Sequence, residues 1–143
     1  MLDIPVVFHF KVEFGAGSPD RDNRFQEVTG LSAEMTVEEL REGGLNQYVH
    51  KLPNDAKYGN LVLKRGYIED SEVTEWCRNA IENFIFEPKD ISVSLLNDEH
   101  EPLANWQFFR AWPVKWSISD FKAQENALVV ESLEFAYDMF RKG

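Results

Sequence analysis

Alternation with a period of two dominates the chain. From Val6 to Phe14, the residues Val6, Phe8, Phe10, Val12 and Phe14 share one face, while Val7, His9, Lys11 and Glu13 take the other. This is the pattern of a strand with one side on a core. A second strand is expected over Phe25 to Thr29. After Gly30, Leu31, Ala33, Met35 and Val37 alternate with Ser32, Glu34, Thr36 and Glu38, and the latter set reads as the polar face of a sheet wet on one side. Gly43 and Gly44 end this strand. Residues 43 to 59 then read as a long irregular loop, with Pro53-Asn54-Asp55 as a turn signal. Strand character returns from Asn60 to Ile68.

The period becomes helical only between Glu72 and Asn83. Val73, Trp76, Cys77, Ala80, Ile81 and Phe84 fall at i, i+3, i+4, i+7, i+8 and i+11, one apolar stripe that forms the expected helix core. Asp70 or Ser71 is placed to cap the helix, and Glu72 and Glu75 suit its positive end. Ile91 to Leu95 begins a further strand. Trp106 to Trp112 follows as a strand apolar on much of both faces. A short turn or helical piece is expected at Ser119 to Asn126, a last strand at Ala127 to Tyr137, and a frayed basic tip at Arg141 to Gly143. The sum is a mainly β domain spanning 1–143: an antiparallel β-barrel or sandwich of about seven strands with one flanking α-helix.

Composition narrows the function. The chain has 143 residues, 43% of them hydrophobic, and a formal net charge of −10. A packed core is feasible, whereas so acidic a surface is a poor match for nucleic-acid phosphates or an anionic membrane. No apolar run approaches the roughly 20 residues that span a bilayer. Met1 to Pro5 lacks a basic stretch followed by an apolar one, so export by a signal peptide is not expected. The single cysteine, Cys77, excludes an internal disulfide and suits a reducing compartment, so synthesis in the cytoplasm is the expectation.

No catalytic, cofactor-binding or metal-binding constellation stands out. His9, His50 and His100 lie far apart along the chain, in different expected elements, and neither His-x-x-x-His nor Cys-x-x-Cys spacing occurs. Asn97 to Glu101 is oxygen-rich but lacks the alternation and central glycine of a calcium loop, so it reads as a solvated turn. Cys77 sits on the apolar stripe of the helix, the place of an inert buried thiol.

Five short motifs do carry a specific signal: Phe25-Gln26-Glu27-Val28-Thr29-Gly30-Leu31, Arg41-Glu42-Gly43-Gly44, Lys51-Leu52-Pro53, Leu63-Lys64-Arg65-Gly66 and Ala111-Trp112-Pro113-Val114-Lys115. Val130-Glu131-Ser132-Leu133-Glu134 follows them. In this order and spacing the chain resembles the tail tube family of contractile phages and phage-tail-like contractile injection systems, from about Val6 to Phe140. The resemblance implies a structural inner-tube subunit rather than an enzyme. It would assemble as six-fold rings stacked into a hollow tube, with sheath subunits, baseplate or hub proteins and cargo in the bore as partners. It leaves open a baseplate-proximal, tube-initiating layer of the same system. A soluble small-ligand-binding β-barrel is the rival from another class.

Within the resemblance, the segment Gly43 to Tyr58 is the expected ring-to-ring connector, because connections of that length usually do a job. Gly43 and Gly44 would turn it away from the barrel. Leu45, Tyr48, Val49, Leu52 and Tyr58 would anchor it, and Arg41, Glu42, His50 and Lys51 would set register. The expected bore lining is polar and acidic or mixed rather than basic.

Overall fold

The computed structural model describes residues 9–15, 24–40, 50–119 and 129–143. Among these, the chain forms β1 (His9–Phe14), β2 (Arg24–Phe25), β3 (Glu27–Thr29), β4 (Ala33–Leu40), β5 (His50–Tyr58), β6 (Leu61–Gly66), α1 (Glu72–Asn83), β7 (Lys89–Leu96), β8 (Pro102–Ile118), β9 (Val130–Ala136) and β10 (Met139–Lys142). The main sheet runs β2-β1-β7-β8-β9-β6-β3, with β10 also on β8, while among the described residues β4 and β5 pair only with each other. Every pairing is antiparallel.

Of the two architectures expected, the sandwich is the one formed. The sheet ends, β2 and β3, are separated in the chain by Gln26 alone, whose N–H donates to the Lys64 carbonyl at 2.9 Å. The strand ladder breaks there and does not close into a barrel. β8 serves both layers: up to Ala111 it pairs with β7 and β10, and from Trp112 onward with β9. The change falls at Arg110, which has φ 51. Asp90 Oδ1 accepts from the Arg110 backbone N–H at 3.0 Å, and the guanidinium grips Asp138 through two bonds of 2.7 and 2.9 Å. Between the layers lie Val12, Phe14, Leu61, Leu63, Ile91, Val93, Phe108, Leu133 and Phe135, all buried.

The helix has the boundaries its periodicity predicts. Ser71 caps it, accepting from the Thr74 N–H at 3.2 Å. Trp76 stacks on Phe135 with centroids 5.5 Å apart, and its indole N–H donates to the Glu87 carbonyl at 2.8 Å. Val73, Trp76, Cys77 and Ala80 are buried, but Ile81 and Phe84, expected on the same stripe, are 50% and 80% exposed. The sheet covers only part of the stripe: Ile81 lies at its margin, and Phe84 leaves the helix in the left-handed conformation, φ 55.

Other expectations are corrected too. The C-terminal tip is not frayed, because Arg141 and Lys142 pair with Gln107 and Trp106 of β8. Residues 50–58, expected in the irregular loop, are strand. Their sequence shows no alternation and carries turn residues, but β4 supplies a ladder, and an edge strand tolerates Pro53 because the missing donor is not needed. The expected piece at Ser119 to Asn126 lies outside the described residues apart from Ser119.

Candidate assembly surfaces

The hairpin of β4 and β5 forms an arm outside the main sheet. Its root is fixed at Gly30, whose φ is +90 and whose added Cβ would lie 1.8 Å from the Asn60 carbonyl oxygen. Only glycine lets the chain pass that close. Tyr58 anchors the other side of the root, its ring 6.1 Å from Tyr137 and 5.4 Å from Phe140, and the Tyr137 hydroxyl donates to the Gly59 carbonyl at 2.6 Å. Burial pushes the Tyr137 phenol up to about 12, with a lesser push from Tyr58, so it stays a donor at neutral pH. Farther out, Glu34 faces Lys57 and Glu39 faces Lys51 across the strands. A register shift between Met35 and Val37 is filled by Thr36, whose hydroxyl donates to the Asp55 carbonyl and accepts from its N–H, at 2.8 and 2.9 Å.

The arm's apolar residues have little cover among the described residues. Met35 and Val37 are each 56% exposed, and Leu40 and Leu52 nearly as much. The alternation in β4 was expected to put one face on the core, and the structure leaves both faces in water. Of the expected connector residues, Lys51 and Leu52 lie on the arm and Tyr58 at its root. Arg41, Glu42, Gly43, Gly44, Leu45, Tyr48 and Val49 lie outside the described residues.

A second apolar surface follows the helix. Ile81, Phe84, Ile85 and Phe86 are all exposed. Phe84 meets Phe86 edge-on at 4.7 Å, and Phe86 meets Trp112 edge-on at 5.7 Å. Sequence reasoning missed this ledge by assigning Ile81 and Phe84 to the core. A phenylalanine where a helix would normally end on glycine was the available signal.

The motifs decode largely into the fold. Phe25, Leu63 and Ala111 are core residues. Arg65, 3% exposed, joins the fully buried Glu131 at 3.5 Å, which links the Leu63–Gly66 motif to the Val130–Glu134 stretch across 66 positions. Glu131 Oε1 also accepts from the Thr74 hydroxyl at 2.7 Å and the Trp116 indole at 3.2 Å, while Arg65 donates to the Ser71 hydroxyl at 2.7 Å. The helix start is thereby tied to β6, β8 and β9.

Opposite the core, Ser92 and Ser94 of β7 and Asn105 and Gln107 of β8 bond to one another at 2.8–3.1 Å. Lys11 and Glu13 of β1, paired at 3.3 Å, border them in register. This is a continuous wall of amides and hydroxyls. The Cys77 thiol is pushed up to about 12, mainly by burial and further by Glu131, so it stays protonated at neutral pH. Contrary to their separation in sequence, His9 and His100 come together, with ring centroids 5.6 Å apart. No group of three or more His, Cys, Asp or Glu able to hold a metal occurs among the described residues, and no described helix is long and apolar enough to cross a membrane.

A family model described as T4-like virus tail tube protein gp19 matches residues 6–141. No curated protein matches the chain. Among solved structures, a chain of the anti-feeding prophage baseplate, six-fold symmetrised, is similar with TM-score 0.81 and 27% identity, covering 100% of this chain and 96% of that one. A chain of the PVC sheath-tube complex, an extracellular contractile injection system in its extended state, gives TM-score 0.77 and 29% identity, covering 99% and 91%. Hcp1 from Flavobacterium johnsoniae shares the fold at TM-score 0.57 and 16% identity, covering 94% of each chain.

Proposed function

This chain belongs to the T4-like virus tail tube protein family and is a tube subunit of the contractile, phage-tail-like kind, and on that premise we propose how it assembles. Copies form six-fold rings that stack into a hollow tube. The β4–β5 arm is the contact between rings, and sheath subunits enclose the tube, which starts at a baseplate. The observation that carries this reading is the arm itself. It is a two-stranded sheet outside the main one, with apolar residues exposed on both faces. In an isolated protomer such a hairpin is marginal, and its exposed faces become useful only when neighbours cover them. The amide and hydroxyl wall of β7 and β8 supports a polar bore past which cargo slides. The role is structural, without turnover, and the protein is made in the cytoplasm.

Replacing residues 45–57 by a short Gly-Ser linker tests the arm. Folded protomers, and rings on size-exclusion chromatography, are expected to persist while long tubes disappear from negative-stain images. Normal tubes would overturn the assignment. A second reading, the tube-initiating layer next to the baseplate, draws on the higher structural similarity to the baseplate chain. Purified protein that closes into single rings and extends only on addition of another tube subunit would select it. A small-ligand-binding barrel has no support once the family is known.

A further inference from the structure

Phe84 is held in the left-handed region at φ 55, with the Ile85 N–H donating to the Asn79 carbonyl at 3.0 Å to close the helix. Glycine or asparagine would occupy that position at lower cost. The ring is 80% exposed, so neither the local backbone nor the core accounts for it. Its neighbours form a preset array, Phe84 on Phe86 and Phe86 on Trp112. Ile81, Phe84, Ile85 and Phe86 are 50%, 80%, 55% and 44% exposed, which for side chains of this size amounts to roughly 450 Å², within the range of the largest patch a monomer usually shows, which is often functional.

The arm offers a second, different patch. Met35 and Val37 share one face of β4, and Ala56 and Pro53 stand opposite them on β5. All four are exposed, a surface of about 300 Å².

We propose that the Phe84 ledge of one copy receives the Met35–Val37 face of the β4–β5 arm of a neighbouring copy. This rests on the tube-subunit reading and names the partner of the arm. Two unlike patches on one chain make a head-to-tail contact, the kind that propagates a ring or a stack of identical subunits. Arm and ledge together supply about 750 Å² of apolar surface. That is most of the apolar share, about 900 Å², of a standard-size interface. The aromatic array is already packed on itself, so little side-chain freedom is lost on docking.

The test uses the full chain. Phe84→Asn suits the left-handed backbone, so the monomer should melt no lower than wild type, while the concentration needed for assembly should rise about ten-fold or more, the effect of losing one well-packed anchor. Independently, a chain carrying both Val37→Cys and Phe84→Cys, assembled and treated with a short bis-maleimide, should give a ladder of linked chains. Either cysteine alone should not, and buried Cys77 stays silent. Assembly of Phe84→Asn at the wild-type concentration, or no ladder from assembled double-cysteine protein, overturns the contact. So does a Phe84→Asn protein that forms normal tubes but no longer binds sheath, because the occupant is then another protein. If the arm replacement abolishes tubes and Phe84→Asn does not, the arm's role stands and this partner falls. A wild-type chain that assembles under no condition removes the tube-subunit reading itself.

Discussion

β6 and β4 are written in nearly the same pattern and meet opposite fates. In β6, Leu61, Leu63 and Arg65 are buried in alternation with half-exposed Val62, Lys64 and Gly66. In β4, Ala33, Met35 and Val37 alternate just as regularly and all three are exposed. The difference is in the neighbours: β6 lies between β3 and β9 under the second layer, whereas among the described residues β4 pairs only with β5. Periodicity says which residues share a face. It does not say what covers that face, and in an assembly protein the cover can be another molecule.

The largest expected effect lies where the covered region is tied together. Glu131→Ala leaves Arg65 buried without its carboxylate and strips the bonds to Thr74 and Trp116, so about 3–5 kcal/mol of stability should be lost. Urea unfolding measures it, and a loss below about 1 kcal/mol would mean that the pair is not the tie between helix and sheet.

A matched pair of substitutions addresses β6 and β4 directly. Leu63→Ala should cost about 2–5 kcal/mol, as buried truncations do. Val37→Thr keeps the β-branched shape and should change protomer stability by no more than about 0.5 kcal/mol, while tubes appear in negative-stain images only at a higher protein concentration than wild type needs. If Val37→Thr lowers the unfolding midpoint as much as Leu63→Ala, the arm is covered within the protomer and the contrast collapses.

Gly30→Ala acts at the boundary between the two regions. The positive φ alone costs about 1–3 kcal/mol for an alanine, and the Cβ must displace the Asn60 carbonyl. The expected outcome is a folded protomer of reduced stability whose arm leaves at the wrong angle, seen as rings or monomers without tubes.

The smallest effect sharpens the bend in β8. The Asp138 carboxyl is held below its ordinary range, first by the hydrogen bond from Arg110 and further by its charge. A lowered carboxylate pKa stabilises the fold at higher pH and loses that contribution as pH falls through the folded value, here below about pH 4. The pair is exposed, so the effect should be small and weakened by salt. Melting temperatures of wild type and Asp138→Asn should differ slightly at neutral pH and converge in acid.

Parts of the assembly surface were legible and parts were not. Lys51, Leu52 and Tyr58 were singled out because a long segment with apolar anchors asks for a use. Met35 and Val37 were placed on a core face and Phe84 in a helix core, since an apolar residue in phase looks the same whether its cover is internal or borrowed. The strand at 50–58 was read as loop because its pairing comes from β4, not from its own residues. Glu131 gave no sign of burial: its partners, Arg65, Thr74 and Trp116, come from three other elements.

What the sequence determined alone is what neighbouring residues decide together. Steric and hydrogen-bond preferences over a turn or two set the strand periods and the helix from Glu72 to Asn83 with its Ser71 cap. The five motifs in register identified the family. The tertiary structure decided what depends on distant partners: the switch of β8 between layers, the edge pairing of β10, the buried Arg65–Glu131 tie, and the faces of β4, β5 and the Phe84 ledge left uncovered. Burial is a property of what packs against a residue, and that packing is settled only when the whole chain has folded.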